Sequence, residues 1–230
     1  MVTILFDGTA FGMLLFLMAV GLSVTMGLMN FVNLAHGSFA MAGGYAAAQA
    51  MQHLHASFGL ALVAGFVAGA LAGALLEAVL FRHFYRASPL SQVLLTIGVV
   101  FVSVALATFA FGATQQPFPL PEWLGGAMHL GVLDVSRYRL FLIVCGLVVL
   151  GVLLFVLDRT RYGAMVRAAV DNRRVAQGTG IDVQALFLGT FALGCGLAGL
   201  GGALSAGAIG LDPSFPIKYM IYFLIVVCIG

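Results

Sequence analysis

The sequence predicts an all-α integral membrane protein, a polytopic helical bundle forming one domain over residues 1–230. Three observations predict it. Hydrophobic residues make up 62% of the chain and charged residues 8%, with a mean hydropathy of +1.12, a balance unlike that of a soluble domain. Several apolar runs reach the roughly 20 residues that a helix needs to cross a bilayer core. These runs are continuous instead of alternating, which excludes a transmembrane β-barrel. Helices that satisfy their own backbone hydrogen bonds are what remains.

The first span is expected from about Gly8 to Met29, with no charge after Asp7. Asn30, Asn33, His36, Gly37 and Ser38 then interrupt an otherwise apolar length. A second apolar segment, about Phe39 to Met51, is too short to cross upright unless it borrows from that interruption. Polar groups persist at membrane depth only where protein or a water-filled path satisfies them. The interruption is therefore either a broken helix, whose amides after Gly37 and Ser38 face a cavity suited to an anionic group, or an ordinary aqueous turn. Along the second segment Ser38, Ala42, Ala46 and Ala50 recur every four residues with Gly43 and Ala47 beside them, a stripe that admits a close helix neighbour.

The third span, about Ser57 to Phe81, carries Ala61, Gly65, Gly69, Gly73 and Glu77 on one i, i+4 line. That line puts the Glu77 carboxylate on the helix-packing side, near the aqueous edge. A structural ion pair with an arginine from elsewhere in the chain is expected there. A fourth span covers about Leu90 to Phe111, after Arg82, His83 and Arg86. The stretch from Gly112 to Ser136 holds three prolines and Trp123 and is expected to be irregular and interfacial. A fifth span runs from about Tyr138 to Leu157 and a sixth from Val183 to about Ile209. In the sixth, Gly194, Ala198, Gly202, Ala206 and Gly210 form another small-residue line. From Tyr219 to Gly230 the chain re-enters the membrane for about 18 Å, short of a roughly 30 Å core, and reads as a truncated last span.

Between the fifth and sixth spans lies Asp158–Asp182, which holds Arg159, Arg161, Arg167, Arg173 and Arg174, five of the ten Lys and Arg. Placed at a bilayer centre they would cost roughly 12–17 kcal/mol on the insertion scale, so this segment lies in water. With Arg82 and Arg86 it marks the cytoplasmic side. A single short amphipathic helix is expected. Tyr162, Met165, Val166, Ala169 and Ala176 fall on one side and Arg167, Asp171 and Arg174 on the other, with Arg173 close to the apolar side. Asp158 and Thr160 can cap its start, and Gly178 and Gly180 can end it. Such a helix either fixes orientation as a solvated loop or docks a partner protein through its apolar side and Arg173.

No catalytic constellation, metal-ligand spacing or P-loop is present, and Cys145, Cys195 and Cys228 stand apart in apolar runs. No catalytic residue, metal or cofactor is expected. Nothing in the sequence suggests nucleic-acid binding; the medium it addresses is the lipid bilayer.

Two stretches carry a resemblance. GLMNFVNLAHGSFAMAGGYAA, followed by Glu77, Arg82 and Arg86, resembles the start of permease subunits of branched-chain amino-acid ABC importers. TRYGAMVRAAVDNRRVAQGTGIDV resembles their cytoplasmic coupling segment, with Thr160, Gly163, Arg167, Ala168, Asp171, Ala176, Gly180 and Ile181 on the pattern. The resemblance implies about seven to eight spans with an early helix broken near mid-membrane. It further implies ATPase subunits docked on Tyr162–Ala176 including Arg173, a homologous second permease and a periplasmic solute-binding protein. ATP hydrolysis then belongs to the separate subunits, and the site is a bacterial inner membrane. Asn30, Asn33, His36, Gly37 and Ser38 become candidates for the translocation path. The rival reading is a secondary transporter driven by Na⁺ or H⁺, which calls for acids at the midplane of two related halves. This chain offers Glu77 near an edge and no related halves.

Overall fold

A computed structural model describes residues 2–29, 31, 33–85, 87–130 and 133–229. The expected sites at Asn30 and Arg86 lie outside the described residues. Helix α1 runs Val2–Met29, α2 His36–His53, α3 Phe58–Val79 and α4 Pro89–Phe111. A hairpin of β1 Ala127–Leu130 and β2 Leu133–Ser136 precedes α5 Arg137–Arg159. Then come α6 Arg161–Asp171, α7 Arg173–Gly178, α8 Val183–Ala208 and α9 Phe215–Ile229. Among the described residues five helices, α1, α3, α4, α5 and α8, are long and apolar enough to cross a membrane. The chain is a multi-pass, all-α membrane protein.

Helix α8 is the axis of the bundle, with α1, α2 and α3 packed around it. Without a hydrophobic drive between helices in lipid, close backbone approach is what holds them, and glycine permits it. A Cβ at Gly69 would fall on the backbone of Cys195 and Gly199, one at Gly202 on Ala40, and one at Gly21 on Gly194. The buried residues of α3 are Phe58 and the expected line Ala61, Gly65, Gly69, Gly73 and Glu77. In α2 the expected stripe splits, and its flanking pair Gly43 and Ala47, not the i, i+4 line, makes the helix contact. The close approach to α8 is made by Ala40, Gly43, Gly44 and Ala47, while Ser38, Ala42 and Ala46 line an open groove of about 400 Å³ against α4. Helices α4 and α5 lie at the edge, presenting Phe101, Phe109, Val148 and Phe155 outward, as lipid-facing spans do.

The polar ends are sorted. At one end an Asp7–Arg139 ion pair joins the starts of α1 and α5, and Gln116 bridges to Leu211. The same end has Gln52 Nε2 donating to the Pro117 carbonyl at 2.5 Å and Trp123 edge-on to Phe58 and Phe141. Because Asp7 has a partner, α1 starts six residues before the expected Gly8 boundary, at Val2. The stretch 112–126 is irregular as expected, but 127–130 and 133–136 pair as antiparallel strands that hydropathy does not reveal. At the opposite end Arg82, His83 and Tyr85 gather with Arg173 and Gln184, so the basic segments do share one side.

Candidate functional site

The interruption after α1 is shorter than expected. Helix α2 begins at His36, three residues before Phe39, and its 18 residues reach His53, about 27 Å at 1.5 Å per residue. Phe39 meets Phe191 edge-on at 6.0 Å, about two turns into α8, so α2 begins inside the bundle. At Gly37 the backbone is closely packed: a Cβ there would stand 3.0 Å from both the Phe223 ring and the Pro216 backbone. Asn33 turns its Oδ1 to the Ala35 amide at 3.0 Å. Its Nδ2 is buried with no hydrogen-bond partner among the described residues, and the His36 ring is buried facing the Met18 backbone of α1. Ser38 points elsewhere, bonding to Ser103 at 2.7 Å in the α2–α4 groove, where Tyr45 stacks on Phe111 with its own hydroxyl unpartnered among the described residues. The four described path candidates, Asn33, His36, Gly37 and Ser38, are thus not one constellation. Asn33 and His36 belong to the bundle interior, Gly37 to the α9 contact, and Ser38 to the groove.

The segment after α5 is two helices where one was expected. Thr160 caps α6, accepting from the Gly163 amide at 3.3 Å and donating to the Val156 carbonyl at 2.5 Å. Asp158 caps nothing and stands 4.0 Å from Arg167 instead. Asn172 then breaks the helix. Its side-chain oxygen accepts from the amides of Arg174 and Val175, both at 3.1 Å, and starts α7 afresh. Gly180, at φ +89°, turns the chain toward α8, and Asp182 caps α8 by accepting from Gln184 and Ala185.

The faces of α6 and α7 also differ from expectation. Gly163, Val166, Ala169 and Ala176 are buried against this chain's own bundle, and the Tyr162 hydroxyl bonds Thr190 at 2.6 Å. Arg167 is exposed on the solvent side, as expected, and from there its guanidinium donates to the Leu157 carbonyl at the end of α5. Gly163 abuts the same residue. Thr160, Gly163 and Arg167 therefore lie on one face of α6 and fasten it to the orphan carbonyls of α5. Arg173 has its guanidinium 5.0 Å from the Phe187 ring of α8, so its apolar neighbour is internal. What faces outward is Met165, Val170 and Val175 among Arg161, Asp171 and Arg174, with Ala168 half-buried.

Glu77 is 3% exposed, and the Tyr85 hydroxyl donates to its Oε1 at 2.9 Å. Among the described residues no arginine is within ion-pair reach of it, so the tyrosine takes the place expected for a cation. Burial first, then the bond and charge of Glu77, push the Tyr85 hydroxyl well above the usual tyrosine range, against smaller opposing effects of Arg173 and Arg82. The proton stays on Tyr85, which keeps it a donor. Tyr85 was missed from the sequence; the signal was an aromatic hydroxyl eight residues after an intramembrane acid. Around the pair a pocket of about 330 Å³ is completed by Arg82, His83, Arg173, Gln184 and Phe187.

The chain matches a family described as "Branched-chain amino acid transport system / permease component" over residues 4–230. The probable branched-chain amino acid transport permease protein LivH of Methanocaldococcus jannaschii is 30% identical over 200 residues, 83% of this chain and 62% of that protein. The chain thus spans a little under two thirds of that relative's length. No solved structure matches it. A match over nearly the full length, on a glycine-seamed helical bundle with an aqueous two-helix insertion, makes this chain a member of the branched-chain amino acid transport permease family.

Proposed function

We propose that the chain is the membrane-spanning permease subunit of an ATP-binding-cassette importer, carrying branched-chain amino acids or similar small solutes into the cytoplasm by alternating access. The observation that carries this reading is the α5–α6 corner. Thr160, Gly163 and Arg167 bind α6 to the last carbonyls of α5, so a push on α6 is delivered to a span and not lost in a slack joint. The face of α6–α7 turned outward, Met165, Val170 and Val175 within a basic rim, suits a groove on an ATPase subunit. Ala168, Asp171, Arg173, Ala176 and Gly180 shape and orient that face. ATP hydrolysis belongs to the ATPase partners, so this chain is itself no enzyme. A homologous second permease completes the path, and a periplasmic binding protein delivers solute across a bacterial inner membrane. Of the path candidates, Ser38 is the one the groove favours.

The test is uptake of radiolabelled leucine by vesicles holding the complete transporter. Uptake should stop on ATP depletion and survive collapse of Na⁺ and H⁺ gradients. Uptake that follows the ion gradient instead would sink the reading. So would an ATPase subunit that co-purifies equally well with Val170→Asp/Val175→Asp and with the unaltered chain.

A further inference from the structure

The pocket at the basic end carries charges of both signs at the junction of three elements. Glu77 from α3 forms one wall, held in place by Tyr85. Arg82 follows α3, Arg173 is the first residue of α7, and Phe187 lies in α8. We propose that this pocket binds a free α-amino acid with an apolar side chain, taken from the cytoplasmic side, and that its occupancy holds α7 against the bundle and slows import.

The chemistry follows from the lining. Glu77 is a buried acid facing a polar pocket with no described cation in ion-pair reach, and a buried charge is stabilised chiefly by an opposite charge brought to it. A ligand ammonium supplies one. Arg82 and Arg173 offer guanidinium forks, which match a carboxylate in two-pronged geometry. The Phe187 ring, already beneath the Arg173 guanidinium at 5.0 Å, is an apolar wall for the ligand's side chain. A volume of about 330 Å³ falls at the small end of ligand pockets, roughly 300–1,000 Å³. A plain anion would meet Glu77 as a like charge, and a plain amine would meet two arginines. A zwitterion satisfies both walls.

Position gives the consequence. Arg173 belongs to the segment proposed above to receive the ATPase, whereas Glu77 and Phe187 belong to the packed bundle. A carboxylate held by Arg173, with its ammonium on Glu77, bridges α7 to α3 and α8. Solute accumulating on the cytoplasmic side would then restrain the helix that has to move. The choice of an amino acid rests on the proposed function; the paired charges stand without it.

Two measurements test this. In the first, the purified chain in lipid nanodiscs is dialysed to equilibrium against L-leucine, 4-methylpentanoate or 3-methylbutylamine. Leucine should bind at least about 10-fold tighter than either single-charge analogue. Glu77→Gln and the exposed-site variant Arg82→Gln should each weaken leucine by about 10-fold, with unchanged melting of Arg82→Gln showing that the fold is intact. Equal binding of 4-methylpentanoate, which would mark a general anion or lipid-headgroup site, overturns the proposal. So does leucine binding indifferent to both substitutions. In the second, leucine is placed on the cytoplasmic face of vesicles holding the complete transporter. Uptake should fall as that leucine rises, and fall less with Arg82→Gln; a rate independent of it overturns the feedback. A transporter that carries no amino acid defeats the proposed function instead, and the dialysis still decides the pocket.

Discussion

Gly163→Ala is the sharpest perturbation of the corner between α5 and α6. A methyl at that position would stand 2.5 Å from the Leu157 carbonyl carbon and 2.6 Å from its Cα, where ordinary contact begins near 3.4 Å. Because the obstacle is backbone, α6 has to retreat by roughly 1 Å, an overpacking cost of about 1–3 kcal/mol. The retreat also lengthens the Arg167 bond to the Leu157 carbonyl, a charged hydrogen bond worth about 1.5–3 kcal/mol. The two share one displacement and do not add in full, so about 2–4 kcal/mol is expected. For a chain of this size that lowers the melting midpoint by roughly 5–10 °C. The purified chain's melting should fall accordingly, Arg167→Gln should show only the hydrogen-bond part, and solute carried per ATP hydrolysed by the complete transporter should drop at least about 10-fold. An alanine variant that melts and carries solute like the unaltered chain would refute the rigid corner.

The bundle seam should discriminate among glycines. Gly202→Ala drives a methyl into the Ala40 backbone and should abolish a folded, detergent-stable chain, whereas Gly151→Ala, which meets nothing within 4 Å, should express and melt normally. Tyr85→Phe leaves the Glu77 carboxylate without its donor and should cost about 1–3 kcal/mol in melting experiments. Asn172→Ala removes the α7 cap, for about 1 kcal/mol, and faster amide exchange confined to 173–178 is the signature. Asp212 accepts from Lys218 at 2.5 Å and from the Ser214 amide at 2.8 Å. Burial acts to raise its carboxyl, but these bonds outweigh it and hold the group below the usual carboxylate range. A folded value below the unfolded one means the stabilisation is full above the ordinary value of about 3.9 and is lost as pH falls through the lower folded value. Exchange of the Ser214 amide should therefore be steady from pH 7 to 5 and rise only in stronger acid, with a small amplitude because the pair is largely solvated.

Hydropathy and period made the membrane class and the spans legible, and where one small-residue line stood out it gave the packing face too. Ala61, Gly65, Gly69 and Gly73, ending at Glu77, are the longest i, i+4 line of small residues along α3 and the one built on successive glycines, and that line is the buried one. In α2 the same rule misled, because small residues cover more than one face. Ser38, Ala42 and Ala46 read as the seam with Gly43 and Ala47 only beside it, and the position of α8 makes that flanking pair, with Ala40 and Gly44, the contact. Charge in the aqueous segment has the same ambiguity. Five arginines argue that it lies out of lipid but do not say where each guanidinium goes. Arg167 donates to a backbone carbonyl of α5 and Arg173 rests on a ring of α8, both contacts with other helices that a helical wheel of the segment does not contain. Asn172 splits the helix through its own side chain, a local competition that side-to-side patterning does not register. These three internal uses also reverse the inference about docking. Apart from Met165, the apolar side that seemed to await a partner is already covered by α1 and α8, so any receiving surface has to be built from what remains outside: Met165, Val170 and Val175.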